Sequence, residues 1–119
     1  MKLFCRYSEA KVKKFTNKKL YERFTLLNNE AAPDSKSIKA ILYEIAQRDP
    51  ADYELGKIEA EVEKSKRHAV METTHILYLE IKYNRDYLAK PESETDPYER
   101  KLRYAMLEMI QEELSRRTN

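Results

Sequence analysis

Along the chain, apolar positions recur at helical rather than strand spacing. From Ser8 to about Asn29, the residues Val12, Phe15, Leu20, Phe24 and Leu27 return at mostly three- and four-residue intervals. Ser8 is a plausible cap for this segment. Thr16-Asn17 offers a second cap, which would divide the region in two; the pattern leaves both readings open. NNEAAPDS, residues 28–35, reads as a loop, because Pro33 disfavours helix at Ala32. Ile38, Ile41, Leu42 and Ile45 then form an i, i+3, i+4, i+7 stripe, with Ser35 or Ser37 as cap and Pro50 as terminator.

Asp52 is the expected cap of a third helix, with Glu54 in its first turn. From Tyr53 to about Lys90 there is no proline, and Gly56 is the only glycine. An unbroken helix there would span about 57 Å at 1.5 Å per residue. A compact domain of this length has a radius of gyration near ~13–14 Å, so the helix must bend or project. Its halves differ. Residues 53–69 carry a narrow seam, Leu55, Ile58, Val62 and Ala69, among charged neighbours. Residues 76–88 are apolar nearly all round, which predicts a helix covered on several sides. AKPESETDP, 89–97, is a polar loop. Asp96, Pro97 and Glu99 open a last helix over 97–116, with Leu102, Ala105, Met106, Met109, Ile110 and Leu114.

The expectation is an all-α protein: one domain over residues 1–119, a four- to five-helix bundle organised around a long third helix, bent or projecting, at about 52–90. Residues 1–7 form an N-terminal arm or short strand, with Leu3 and Phe4 tucked into the bundle. Short connections favour antiparallel neighbours. The second helix should therefore fold back on 53–65, and the last on 76–90. If the narrow seam lacks cover within one chain, a second copy supplies it, so a homodimer is a candidate assembly.

Composition narrows the function. A single glycine argues against hairpins and phosphate-cradling loops. A lone cysteine, Cys5, forms no internal disulfide. The longest strictly apolar runs, Ile76–Leu79 among them, are far short of the ~20 residues of a membrane helix. MKLFCRYSEA lacks the apolar core of a signal peptide. The expected location is cytoplasmic, the host cytoplasm if the protein is viral.

Net charge is +2, but residues 1–24 hold eight basic and two acidic side chains. Within RYSEAKVKKFTNKKLYERF, the residues Lys11, Lys13, Lys14, Lys18, Lys19 and Arg23 stand among aromatic rings. Cations neutralise phosphates and rings stack on bases, so nucleic-acid binding is the alternative function. Against it, Phe15 and Phe24 fall on the proposed core face, and lysine outnumbers the better base reader, arginine.

METTHILYLE, 71–80, holds a Glu-x-x-His, with His68 one turn before Glu72. Residues three apart share a helix face, so Glu72 and His75, with His68, form a weak metal candidate. Carboxylate-bridged metal bundles need a second such motif and further glutamates, and the sequence has two histidines in all. A polar stripe beside a packed core is the preferred reading, with no metal and no cofactor. No Gly-x-Ser-x-Gly occurs, since the chain has a single glycine.

Nine tyrosines are many for this length. Tyrosine is favoured in interface hot spots because it buries area at small entropic cost. Tyr78, Tyr83, Tyr87, Tyr98 and Tyr104 are therefore candidate contacts, with Met106 and Met109 as adaptable neighbours. The expected function is non-catalytic: a helical protein that docks on a protein partner and modulates it, as a regulator, an assembly factor or, on size alone, a phage-type inhibitor.

Overall fold

A computed structural model describes residues 6–118. All its regular elements are helices: α1 (Glu9–Val12), α2 (Asn17–Asn28), α3 (Ser35–Gln47), α4 (Pro50–Ala69), α5 (Thr74–Leu88) and α6 (Pro97–Thr118), with a 3₁₀ turn at Glu92–Glu94. The protein is all-α, and among the described residues no helix is long and apolar enough to cross a membrane. The expected tuck of Leu3 and Phe4 lies outside the described residues.

The helix count exceeds four or five because the long third helix is divided, while the first region takes the divided one of its two open readings. The first breaks at Thr16, whose hydroxyl accepts the Lys19 N–H at 3.1 Å and starts α2. Ser8 caps α1 as the sequence indicates. The long third helix breaks at residues 70–73, and Thr73 caps α5 by accepting the Ile76 N–H at 3.2 Å.

Two other starts differ from expectation. Helix α3 is capped by Asp34, which accepts the Ser37 N–H, rather than by Ser35 or Ser37. Helix α4 begins at Pro50 rather than after Asp52: Asp49 accepts the Asp52 N–H at 3.1 Å, and proline fits the first helical position. The same Asp-Pro arrangement opens α6, where Asp96 accepts the Glu99 N–H at 3.0 Å.

The chain divides into two compact units, Met1–Ala60 and Glu61–Asn119. The first is centred on Val12, Phe15, Leu20, Leu27, Ala40 and Ile41. Its α3 packs mainly on α2 and α1 rather than folding back chiefly on α4. The physical reason is the direction of its buried face: Ser37, Ala40, Ile41 and Glu44 are buried, while Leu42 of the expected stripe is exposed. Glu44 tolerates burial because Arg48 Nε lies 2.7 Å from its carboxylate. The same guanidinium donates to Asn17 Oδ1 at 2.9 Å and to the Phe15 carbonyl at 2.8 Å, tying the end of α3 to the start of α2.

The second unit is centred on Ala69, Leu77, Ile81, Met109, Ile110 and Leu114. Here the expected pairing holds, and α6 packs along α5. Arg117 reaches Thr74, Arg103 reaches Asn84, and Arg100 reaches the Leu88 carbonyl, which defines an antiparallel register. Helix α5 is less covered than its apolar sequence implies. Leu77 and Ile81 are buried, whereas Tyr78 and Tyr83 face solvent.

Candidate functional site

Within the second unit, the last turns of α4, helix α5 and helix α6 enclose a groove of about 400 Å³. Its floor is apolar. Ala69, Met109 and Ile110 are all buried there. Tyr83 from α5, Met106 from α6 and His68 from α4 form its sides. Tyr83 is 63% exposed, so its ring is displayed rather than packed away.

The polar groups inside are organised. Asn84 is buried; its amide donates to the Glu80 carbonyl at 2.7 Å, and its Oδ1 accepts from Arg103 at 3.3 Å. Arg103 in turn lies 3.4 Å from Glu99 and 4.7 Å above the Tyr87 ring centre. Carboxylate and ring hold the guanidinium in one orientation at the groove edge. Burial pushes the Glu80 carboxyl above its usual range, and the nearby charge of Glu72 adds to the effect.

One end of this unit is fixed by Arg117. Its guanidinium donates to the Ala69, Val70 and Glu72 carbonyls at 2.9, 3.3 and 2.7 Å, and lies 2.9 Å from Glu113. Glu113 is buried, and hydrogen bonds from Arg116 and then Arg117 hold its carboxyl below the usual range. The turn so held displays Val70 and Met71, the latter 88% exposed.

The five tyrosines singled out by the sequence do not form one patch. Tyr83 lines the groove. Tyr87, one turn on, is half-buried; its hydroxyl accepts the Asp96 N–H at 3.1 Å and its ring supports Arg103, which makes it a structural neighbour of the groove. Tyr98 is half-buried at the start of α6. Tyr78 and Tyr104 are exposed. Tyr78 lies five residues before Tyr83, and therefore about 140° around α5 at 100° per residue. Tyr104 falls among the exposed positions Lys101 and Glu108 of α6.

The Glu72/His75 candidate changes character in the same way. The break between α4 and α5 leaves His68 in α4, Glu72 in the turn and His75 in α5, all exposed, so the helical spacing that linked them no longer applies. Among the described residues no group of three histidine, cysteine, aspartate or glutamate side chains is placed to hold a metal ion.

Of the basic set, Lys11, Lys13, Lys14 and Lys19 are exposed, and Lys18 and Arg23 are half-buried. Phe15 is buried, Phe24 packs on the same core, and Lys19 Nζ sits 4.5 Å over the Phe15 ring. Those two rings are turned inward. Sequence reasoning missed Glu80, Asn84 and Arg103. Asn84 was the legible signal, the one amide side chain of α5, at helical spacing from Leu77 and Ile81.

No family model, no curated protein and no solved structure matches the chain.

Proposed function

We propose that this protein is a non-catalytic helical binding protein that docks on a protein partner through the groove of its second unit and modulates that partner. The observation that carries the reading is the pairing of a buried apolar floor with a displayed Tyr83 ring and an oriented Arg103. Tyrosine and arginine dominate interface hot spots, and methionine adapts its shape to a partner. Groups already held in place lose little freedom on binding, which favours affinity.

The alternative, nucleic-acid binding through Lys11, Lys13, Lys14, Lys18, Lys19 and Arg23, is weakened by the inward Phe15 and Phe24, since stacking needs displayed rings. The test is affinity purification from the native host with and without nuclease, followed by variants. A protein retained after nuclease treatment is expected. Tyr83→Ala should weaken its binding by about 2 kcal/mol or more, as hot-spot truncations do, while Tyr78→Ala and Tyr104→Ala change it by less than about 1 kcal/mol. Retention that disappears with nuclease, or that ignores Tyr83→Ala, rejects the proposed site.

A further inference from the structure

We propose that the first unit carries a second docking groove, shaped for an acidic peptide segment of a protein partner. It lies between residues 7–9 and the outer face of α3 and measures about 420 Å³, room for two or three side chains. Lys36, Lys39, Ala40 and Tyr43 form its α3 side. Their three- and four-residue spacing makes them one ridge of the helix.

The opposite wall is built rather than loose. The Tyr7 backbone N–H donates to Ser37 Oγ at 2.8 Å, and that fully buried hydroxyl donates to Asp34 at 2.7 Å. The Tyr7 ring meets the edge of Phe15 at 5.5 Å between centres. Arg6 is anchored beside it, through its backbone to Asp34 and its guanidinium to Glu30.

Charge selects the occupant. Lys36 and Lys39 are exposed, and neither makes an ion pair among the described residues. Lys11 adds a third ammonium group 5.4 Å from the Tyr7 ring centre. Glu9 is the one carboxylate lining the groove. The surplus is positive, and Tyr43, 57% exposed, offers apolar area between the charges. A segment that alternates carboxylates with an aromatic or aliphatic side chain complements that surface.

Nucleic acid fits less well. Arg6 and Arg48 are engaged internally, leaving lysines, which are poor bidentate readers of phosphates and bases. Glu9 repels phosphate, and Tyr43 is the one largely exposed ring of the groove.

The experiment is fluorescence anisotropy of the full chain with a labelled EELEYEE peptide, its QQLQYQQ counterpart and a short oligothymidylate. The acidic peptide should bind at least about tenfold more tightly than the glutamine peptide, weakening with salt. Lys36→Glu with Lys39→Glu should cost about tenfold or more, and Lys66→Glu nothing. Both α3 positions are exposed; if circular dichroism reports lost helix, Lys36→Gln with Lys39→Gln repeats the test. Tyr83→Ala should leave peptide binding intact, so this groove and that of the second unit fail separately.

Equal binding of the two peptides, or indifference to both lysine pairs, overturns the proposal. Tighter, lysine-dependent binding of oligothymidylate reassigns the surface to nucleic acid. Self-association abolished by the same variants reassigns it to a second copy of the chain.

Discussion

Gly56 is the clearest case of one residue set by its neighbours. A Cβ built on it would lie 2.5 Å from Asn17 Cβ and 2.7 Å from both Asn17 C and Lys18 N, so helix α4 touches the first turn of α2 at that point. Two of those atoms are backbone and have little room to give. Gly56→Ala gains helix propensity but should lose about 1–3 kcal/mol through overpacking, measurable by urea denaturation. A neutral or stabilising result would mean the two helices do not approach so closely.

Glu80 is a residue whose environment predicts a pH dependence. Its carboxyl is held above the ordinary range by burial and by Glu72, so the folded chain binds that proton more readily than the unfolded chain. The stability it contributes is fully present below the unfolded pKa of about 4.3 and is lost as pH rises through the folded value. Glu80→Gln cannot ionise. It should melt above wild type at neutral pH, with the gap closing as pH falls below about 4. Thermal melts across pH check this, and a variant that melts lower at neutral pH refutes it.

At the scale of elements, the break between α4 and α5 decides most. Local sequence offers no proline or glycine there, only Thr73 as a cap. The turn costs helical hydrogen bonds at the end of α4, and Arg117 supplies donors to the Ala69, Val70 and Glu72 carbonyls from 45 residues or more away. Arg117→Ala should therefore destabilise by about 1.5–3 kcal/mol, since hydrogen bonds from a charged group are lost at several acceptors and Glu113 loses one of two cations. Thr73→Ala, which removes a single cap bond, should cost only about 1 kcal/mol. Chemical denaturation of both variants ranks them, and an Arg117→Ala loss smaller than that of Thr73→Ala would remove the guanidinium from this role. The caps themselves were legible where an oxygen-bearing side chain met a proline. Asp96-Pro97 was read correctly, and Asp49-Pro50 is the same signal overlooked.

For the whole molecule, charge is divided. Residues 1–60 hold twelve basic and nine acidic side chains, and residues 61–119 hold eleven and twelve. The proposed tyrosine-lined groove lies in the nearly balanced half and the lysine-lined one in the basic half. Lys13→Glu with Lys14→Glu tests the nucleic-acid alternative, because both side chains are exposed. These changes should leave retention of the protein partner unchanged. A mobility shift with single-stranded DNA that fades with salt and disappears in this variant would instead favour the alternative.

Sequence alone determined that the chain is helical, and it placed the start of α1, the ends of α2 and α5, and both ends of α6 to within a few residues. Apolar spacing and capping side chains are local, and each acts within a turn or two of the backbone. It also offered Tyr83 and Met106 as candidate contacts, on residue type alone. Tertiary structure decided which face of α3 is buried and where the long helix stops. Each of those outcomes depends on a group distant in the chain: Asn17 beside Arg48, or Arg117 across the α4–α5 turn. Such pairings form only once the helices are packed, so no window of neighbouring residues contains them.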